Sequence, residues 1–527
     1  MNNLAPENTG RHINKSLSPL VVAIDFGTQS VRALVYQRDG KLSKKFQLPI
    51  TGYKHPQAGW SEHDVDGFWQ LLAASCRGLW EQGVSPLDLE GVVVTTQRAT
   101  VINLDNLGQP LRPAIIWTDQ RRSPVRGKLP WYWRLLFGLL RIRSVVDSFE
   151  IEAEANWLER NQPDVLARTA HYLLLSGYLN FRLTGRVVDS VGSQVGYLPF
   201  DFRKQSWCAD WDWKWYSLAI TRSMLPKLEP VGSLLGKVTA EAALVTGLPE
   251  GLPVIAGAAD KACEVLGVGA LNATIASISC GTTATINTMG ERYAEVIPFM
   301  PAYPGAIPDT FNNEIQVFRG YWMVAWFLEE FGGIERNKAV ELDVAPETIL
   351  DDLLVQTTPG AEGLVLQPFW NPVLSETGPE GRGSIVGFND SHTRAHVYRA
   401  LVEGLAFALR SGKERIERRT GCKITCLRVS GGGSQSNHVL KIMADVMDLP
   451  VEYFADFEAS GRGAAIIGAT ALGWYPSFSA AAESMLGNLN CVQPDPDNRA
   501  RYDSLYHGIY RRLYGRLKPL FLTQSNH

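Results

Sequence analysis

The sequence predicts an α/β protein of two domains with a cleft between them. Its length of 527 residues exceeds what a single hydrophobic core usually holds. Hydrophobic residues make up 45% of the chain and charged residues 20%, which is typical of a soluble globular protein with large cores. A strand pattern that ends in a glycine–threonine loop occurs near the N-terminus and again near the middle. These observations favour two related halves, and clefts between domains commonly bind small ligands.

The charge balance and the cysteines limit the classes of partner and compartment. A net charge of -3 supplies no basic excess for binding a phosphate backbone, so nucleic acid is not an expected partner. The seven cysteines are scattered, odd in number and without the paired spacing of zinc sites. This usage is typical of a reduced compartment, and we expect a cytoplasmic protein.

Two segments bear on targeting and membranes. Residues 1–17 are polar and lack the apolar core of a secretory signal, so we expect a disordered tail. Residues 129–143 are aromatic and apolar, but Arg134, Arg141 and Arg143 interrupt them, and crossing a bilayer takes about 20 apolar residues. No transmembrane segment is therefore expected. The segment 129–143 either packs against a domain or lies on a membrane surface, and the sequence leaves both interpretations open.

The first half begins with a hairpin pattern. Residues 20–24 and 31–36 are rich in β-branched residues, and the segment 25–30 (Asp-Phe-Gly-Thr-Gln-Ser) joins them in a tight turn. Asp64 then precedes a helical pattern with an acidic residue in its first turn. Residues 91–96 follow as a buried strand. This order predicts a sheet with a loop at the end of its first strand.

The second half repeats this design. Residues 253–257 and 276–280 are strand patterns, and the second is followed by Gly281-Thr282-Thr283, where the first half has Gly27-Thr28-Gln29. The repetition indicates an ancient duplication. In this alignment Asp25 falls opposite Ser279, so only the first loop carries a carboxylate.

We place the domain boundary near residues 260–275, where glycines break the pattern. Gly267, Gly269 and Asn272 interrupt the strand and helix periodicities there. The predicted domains are residues 18–265 and residues 266–515.

The two glycine–threonine loops suit the binding of a nucleotide's phosphates. Backbone N–H groups in a turn without bulky side chains can approach phosphate oxygens closely. Loops from two domains would clamp one phosphate chain from both sides. Asp25 would hold Mg²⁺, which prefers oxygen ligands and keeps several waters. The alternative for the first loop alone is an ordinary strand turn capped by Asp25.

A third glycine-rich loop joins a strand to a helix. Residues 429–437 (Val-Ser-Gly-Gly-Gly-Ser-Gln-Ser-Asn) precede the helical pattern of residues 438–447. Successive glycines would let the backbone lie flat against a base or a sugar, and Ser436 or Asn437 offers hydrogen bonds as well as a helix cap. The alternative is a flexible loop with an N-cap.

The three loops, in this order, resemble those of the FGGY family of carbohydrate kinases. Their fold consists of two ribonuclease H-like domains of the actin/hexokinase/Hsp70 type, with the catalytic cleft between the domains. Residues 383–388 with His396 and residues 400–403 match one family signature and depart from it only at Phe388. The second signature has a lysine three residues before a tryptophan, and this chain has Glu154 before Trp157 instead. Residues 59–64 and 257–260 match the family as well.

The resemblance implies that the chain transfers the γ-phosphate of ATP, with Mg²⁺, to a hydroxyl of a small sugar or polyol. Asp260 would be the catalytic base, in a reaction dominated by positioning and charge stabilisation. The residues implied at ATP are Gly27, Thr28, Gln29, Ser30, Arg32, Gly281, Thr282, Thr283 and Gly320 around the phosphates, with Gly432, Gly433, Ser436 and Asn437 at adenosine. The residues implied at the substrate are Gln97, Arg98, Trp117, Asp119, Asp260 and Lys261.

Some of these roles have structural alternatives. The face of Trp117 suits the C–H groups of a sugar, but the same residue type often packs in a core. Lys261 either reaches an anionic or carbonyl group of the substrate, or pairs with Asp260 or Asp119 and tunes the base. On a strand, the side chain of Lys261 would point away from Asp260.

The resemblance does not select a substrate. Glycerol kinases carry Arg-Glu at the position of Arg98-Ala99 and a tyrosine near Phe149, so two polar contacts to glycerol are missing. Xylulokinases carry Met-His there and an asparagine at the position of Lys261. A pentulose, a hexulose, a sugar alcohol or a related acid remains open, with xylulokinase and glycerol kinase as alternatives inside the class.

Two other functions compete with the kinase. A non-catalytic sensor of sugar and nucleotide would share the fold, although intact Asp25 and Asp260 argue against it. An actin-like or chaperone ATPase would share the loops but would not need Asp260 or the Trp117-x-Asp119 segment. The resemblance also implies a homodimer or a homotetramer and does not choose between them.

Overall fold

The computed structural model describes residues 19–370, 377–378 and 380–524. The predicted tail, residues 1–17, lies outside the described residues. The strands are β1 (Leu20–Phe26), β2 (Ser30–Gln37), β3 (Leu42–Pro49), β4 (Glu62–His63), β5 (Leu89–Thr96), β6 (Val101–Leu104), β7 (Ala114–Ile115), β8 (His171–Leu174), β9 (Val188–Ser190), β10 (Phe200–Asp201), β11 (Ser206–Trp207), β12 (Lys227–Glu229), β13 (Leu234–Lys237), β14 (Pro253–Ile255), β15 (Ile275–Cys280), β16 (Ala284–Gly290), β17 (Tyr303–Pro304), β18 (Phe311–Val317), β19 (Val365–Gln367), β20 (Ser384–Val386), β21 (Cys426–Ser430), β22 (Val451–Tyr453) and β23 (Asn490–Val492).

The helices are α1 (Val65–Glu81), α2 (Trp131–Leu139), α3 (Arg143–Glu152), α4 (Glu154–Asn161), α5 (Pro163–Arg168), α6 (Leu175–Thr184), α7 (Trp213–Ser217), α8 (Ala240–Thr246), α9 (Asp260–Gly267), α10 (Trp322–Phe331), α11 (Gly333–Leu342), α12 (Pro346–Ile349), α13 (Asp351–Val355), α14 (Arg394–Thr420), α15 (Asn437–Met447), α16 (Ala459–Ala471), α17 (Phe478–Met485), α18 (Pro496–Leu505) and α19 (Arg511–Gln524).

The first sheet has the order β13-β14-β5-β1-β2-β3. Strands β1 and β2 form the predicted antiparallel hairpin, with Ile24 opposite Ala33, and β5 lies parallel to β1 on the other side. Both faces of β1 are buried: Val22 and Ile24 belong to one core cluster, and Ala23 to another. Helices cover both faces, which explains the continuous β-branched run.

The second sheet repeats this arrangement. Its order is β17-β18-β16-β15-β21-β22-β23. Strand β15 pairs antiparallel with β16 and parallel with β21, as β1 pairs with β2 and β5. The two loops predicted to correspond therefore lie at equivalent ends of equivalent hairpins.

The C-terminal part of the chain returns to the first sheet. Helices α16 and α17 supply Ala465, Ile467 and Met485 to the core that contains Ala23 and Val93. The division predicted between residues 265 and 266 therefore does not describe the packing of residues 459–485, which lie on the first sheet. The sequence did not predict that residues 459–485 pack on the first sheet, because an alanine-rich helix fits the core of either domain.

Helix α2 lies within residues 129–143, for which the sequence predicted either packing against a domain or contact with a membrane surface. Phe137 is buried and packs edge-on against Trp213, with ring centroids 5.5 Å apart. Trp131 and Leu139 are 75% and 74% exposed. None of the helices in the described ranges is long and apolar enough to cross a membrane.

Glu403 is a buried carboxyl in α14 with a raised pKa. It accepts hydrogen bonds from the Gly360 N–H and the Tyr502 hydroxyl, both at 2.8 Å. Burial raises the pKa of Glu403 to about 7, against the pull of Arg399. The contribution of its protonated form to stability is full below about pH 4.5 and is lost as pH rises through about 7.

Glu403→Gln is expected to weaken the pH dependence of stability between about pH 4.5 and pH 7, because glutamine stays neutral. Chemical unfolding measured across this range tests the expectation. Glu329→Gln, at a surface carboxylate that is 73% exposed, is the control and should leave the profile unchanged. Identical profiles for wild type and Glu403→Gln would contradict it.

Candidate active site

A cleft cavity of about 1190 Å³ lies between the two sheets. The ends of β1, β15 and β21 bring the three glycine-rich loops to its walls. The sequence-predicted residues that line the cavity are Asp25, Gly27, Thr28, Gln29, Ser30, Arg32, Gln97, Arg98, Trp117, Asp260, Lys261, Gly281, Thr282, Thr283, Gly432, Gly433 and Ser436.

The first loop is a closed turn held from two sides. The Gly27 N–H donates to the Ser30 carbonyl at 3.0 Å. The Tyr53 hydroxyl donates to the Thr28 carbonyl at 2.5 Å, and the Trp117 indole N–H donates to the Thr28 hydroxyl at 2.9 Å. The loop is therefore positioned before any ligand binds.

Asp25 ends β1 beside this loop and is 4% exposed. Its nearest cation is Arg32, 3.3 Å away, and Arg32 is shared with Glu458 at 3.2 Å. Burial raises the pKa of Asp25 to about 7, although Arg32 lowers it, and the carboxylates of Asp260 and Glu458 add to the rise. A carboxyl in this setting is stabilised in its charged form by one more cation.

The second loop is supported by a turn behind it. The Tyr321 N–H donates to the Gly281 carbonyl at 3.1 Å. Gly320 lies against the start of β16, where a Cβ atom would come within 2.2 Å of the Ala284 nitrogen. Gly320 thus permits the close approach of the two backbones and does not line the cavity. The resemblance implies a place at the phosphates, whereas in the structure Gly320 lies behind the second loop.

The third loop begins at Gly431, whose φ of +84° is in the left-handed region. Gly433 lies over the Tyr321 ring, since a Cβ atom there would be 2.6 Å from the ring. Ser436 caps α15 by accepting from the Val439 N–H at 3.1 Å. The loop presents backbone to the cavity, as its glycines predict.

Asp260 is the first residue of α9 and faces the cavity. Its carboxylate accepts from the Lys261 N–H at 2.7 Å. Burial raises the pKa of Asp260, while Arg98 and Lys261 lower it. The helix start and two cations thus favour a carboxylate at a place where burial alone would favour the acid.

The comparisons with known proteins agree with this geometry. Residues 20–267 match the model of the "FGGY family of carbohydrate kinases, N-terminal domain", and residues 276–472 match the C-terminal domain of the same family. The chain belongs to the FGGY family of carbohydrate kinases. It is therefore a phosphotransferase with an alcohol group as acceptor, and the two-domain fold predicted from the sequence is confirmed.

Individual relatives extend over nearly the whole chain. The chain is 28% identical to an uncharacterized sugar kinase, YgcE, of Escherichia coli (strain K12), over 94% of this chain and 93% of the relative. It is 27% identical to a xylulose kinase of Lactococcus lactis, over 94% and 96%. The crystal structure of a xylulose kinase from Rhodospirillum rubrum superposes with a TM-score of 0.78 at 27% identity, over 95% and 99% of the two chains.

Lys261 of this carbohydrate kinase lies on a helix, and its ammonium crosses to the second domain. The Nζ atom lies 2.8 Å from a Glu264 carboxylate oxygen and donates to the Ser279 hydroxyl at 2.7 Å. Burial by itself would lower the pKa of Lys261. The carboxylates of Glu264 and Asp260 outweigh burial, so the pKa of Lys261 is raised above its ordinary value. The ion pair with Glu264 differs from both partners considered from the sequence, Asp260 and Asp119. Ser279, the counterpart of Asp25, thus contacts a cation from the first domain.

Arg98 bridges the cleft of the kinase between the two sheets. It donates two hydrogen bonds to Glu314 on β18, at 2.9 and 3.2 Å, and its guanidinium lies 5.2 Å from the centre of the Tyr303 ring. Burial disfavours the charged guanidinium of Arg98 and would lower its pKa. The carboxylates of Glu314 and Asp260 outweigh burial and raise the pKa of Arg98. Beside it, both polar atoms of the Gln97 amide lack a hydrogen bond of normal geometry.

Two more predicted residues of the kinase do not line the cavity. Asp119 accepts from the Ser61 N–H at 2.6 Å and pairs with Arg121 at 2.7 Å, so its buried carboxylate orders the segment before α1. Asn437 accepts from the Tyr453 hydroxyl at 3.1 Å. The Asp119 carboxylate is therefore used by its neighbours, whereas Asn437 is exposed and has one side-chain contact. The binding roles of both residues stay predictions.

Sequence reasoning missed several cavity residues. Glu264 lies one helical turn after Asp260. This spacing places both side chains on the same face of a helix, so the sequence could have predicted Glu264 at the cavity. Tyr303 and Gln316 also line the cavity, and Glu314, which is outside its lining, pairs with Arg98; all three come from β17 and β18 of the second sheet. No local pattern identifies them, because the packing of distant segments brings them to the cleft.

Proposed function

We propose that Asp260 is the general base of this carbohydrate kinase and that the three loops hold ATP. The observation that supports the proposal best is the position of Asp260, at a helix start on the cavity wall, between Arg98 and Lys261. A base at this place accepts the proton of a substrate hydroxyl while that oxygen attacks the γ-phosphate. The O–P bond to the acceptor forms, the bond to the ADP oxygen breaks, and the proton stays on Asp260.

The ATP chain is proposed to run between the two hairpin loops. The backbones of residues 27–30 and 281–283 face each other across the cavity and would bind the phosphates. Gly432 and Gly433 would face adenosine, where glycine leaves room for a flat ligand. Domain closure around this chain would keep water from the γ-phosphate.

Mg²⁺ is proposed to bind at Asp25. The buried carboxyl, with a pKa raised to about 7 and only Arg32 as a near cation, fits a hard ion with oxygen ligands. Few protein ligands are needed, because Mg²⁺ keeps waters and phosphate oxygens. When bound, the ion would neutralise charge on the phosphates.

The substrate is proposed to be an uncharged sugar or polyol. Both cations at the substrate end already have carboxylate partners, Arg98 with Glu314 and Lys261 with Glu264. A sugar acid would have to displace one of them. The Gln97 amide, which has no hydrogen bond of normal geometry among the described residues, and the Trp117 ring, 38% exposed, are suited to hydroxyls and C–H faces. Relatives named as xylulose kinases and glycerol kinases are consistent with such a substrate.

A substrate panel tests the proposal. Pentuloses, hexuloses, sugar alcohols, glycerol and gluconate are offered with ATP and Mg²⁺, and ADP release is measured with a coupled assay. At least one uncharged compound should exceed basal hydrolysis, and gluconate should not. Binding of a sugar by calorimetry without phosphoryl transfer would instead favour a sensor.

Lys261→Met is expected to lower kcat about tenfold or more and to move the acid limb of the kcat–pH profile upward. The reason is that the ammonium stabilises the Asp260 carboxylate, whose pKa rises when an adjacent positive charge is removed. Lys261→Arg should recover part of the loss. Lys338→Met, at a surface pair with Asp352, is the control. An unchanged pH profile would show a purely structural role for Lys261.

Two sequence-based expectations stay predictions. A reduced, cytoplasmic compartment is consistent with the seven cysteines, all of which are free in the structure. A homodimer or a homotetramer is expected from the family resemblance, and sedimentation velocity would measure it.

A further inference from the structure

Helix α2 carries a continuous exposed apolar surface. Two rows of side chains with a spacing of four residues place large apolar groups on one face of the helix. We call this surface the apolar stripe; its residues and exposed fractions are Trp131 (75%), Leu139 (74%), Leu140 (57%), Leu135 (56%), Tyr132 (46%) and Leu136 (41%). A surface of this kind marks an interaction site.

The stripe is held in place and is separate from the active site. Phe137, on the opposite side of α2, is buried and stacks on Trp133 at 5.3 Å between ring centroids. Arg134 donates to the Gly127 carbonyl at 2.5 Å. No residue of the stripe lines the cleft cavity. Its exposure is therefore a property of a docked helix and not of an unfolded segment.

The charged residues in the sequence around the apolar stripe are all basic. Residues 120–146 contain seven Lys and Arg residues and no Asp or Glu. Five of the seven basic side chains pair with carboxylates outside this segment: Arg121, Arg122, Arg126, Lys128 and Arg143. For Arg134 and Arg141, no carboxylate lies within ion-pair distance among the residues that the structure describes. Two uncompensated cations thus border the apolar stripe.

We propose that the apolar stripe binds the surface of an anionic lipid bilayer. Aromatic residues at one end, leucines along the face and arginines at its border suit the boundary between head groups and acyl chains. The nine residues of α2 are too few to span a bilayer, so the helix would lie flat. Arginine stems extend along apolar surface while their charged ends reach phosphate groups.

A second copy of the chain fits the stripe less well. A two-fold contact places the same surface of both copies face to face. Arg134 and Arg141 of each copy would then meet those of the other without a compensating carboxylate. Anionic lipid supplies that charge. Because the helix is short, the binding should be reversible and should weaken as salt screens the arginines.

Vesicle co-sedimentation of the full chain tests the proposal. Wild type should sediment with phosphatidylglycerol-containing vesicles, less at high salt, and not with phosphatidylcholine alone. The double variant Leu135→Ser/Leu139→Ser and the double variant Arg134→Gln/Arg141→Gln should each reduce the bound fraction at least fivefold. Leu244→Ser/Val340→Ser, at side chains 80% and 83% exposed elsewhere, is the matched control and should bind as wild type.

Kinase activity and oligomeric state make the outcome decisive. All three double variants should keep wild-type ADP release, because none changes the cleft. Failure of wild type to bind the anionic vesicles, or equal binding by all variants, would overturn the proposal. So would a dimer in sedimentation velocity that only Leu135→Ser/Leu139→Ser dissociates, since the stripe would then be covered by a second copy.

Discussion

Asp260→Asn is expected to lower kcat by about 10²- to 10⁴-fold and to leave nucleotide binding intact. The amide keeps the shape of the side chain but cannot accept the proton of the attacking hydroxyl. It still accepts from the Lys261 N–H, so the start of α9 should stay ordered. The effect should therefore appear in kcat and hardly in the KM for ATP.

Steady-state kinetics with the best compound of the substrate panel measure this effect, and calorimetry with ADP measures nucleotide binding. Asp210→Asn, at a carboxylate whose side chain is 90% exposed, is the matched control and should behave as wild type. Full activity of Asp260→Asn would assign the base to another residue. A loss of nucleotide binding in parallel would point to a structural role instead.

Gly463→Ala is expected to lower the free energy of unfolding by about 3 kcal/mol and to reduce activity at the same time. Helices α9 and α16 approach so closely that a Cβ atom at Gly463 would lie 1.8 Å from the Cys263 carbonyl oxygen. The approach is reciprocal, because a Cβ atom at Gly267 would lie 1.9 Å from the Ala459 carbonyl oxygen. Relief of the clash requires α9 to move, and α9 carries Asp260.

Thermal unfolding and kcat are measured together for this variant. Gly515→Ala, in α19 with no atom within 4 Å of the added Cβ, is the control and should be neutral or slightly stabilising. If Gly463→Ala kept both the unfolding temperature and the kcat of the wild type, the close crossing of the two helices would be refuted. A wild-type unfolding temperature with a lower kcat would mean that α9 shifts without loss of packing.

The sequence by itself determined the strands and loops whose backbone lines the cleft. The β-branched run of residues 20–24 and the turn of residues 25–30 with Gly27 specify a hairpin locally, and the same holds for residues 276–283 with Gly281. The role of Asp260, three residues after Gly257, was implied only by the family resemblance. The order of the patterns along the chain therefore sufficed for two related halves with glycine–threonine loops, and the fold class followed from the family resemblance.

Only the tertiary structure decided which charged groups remain available in the cleft. Lys261 pairs with Glu264, Arg98 pairs with Glu314 from the other sheet, and Asp119 is held by Arg121. The return of residues 459–485 to the first sheet was equally hidden. The physical reason is that a buried charge takes the nearest compensating group, and its identity depends on how distant segments pack. Local sequence patterns do not specify which distant segments come into contact.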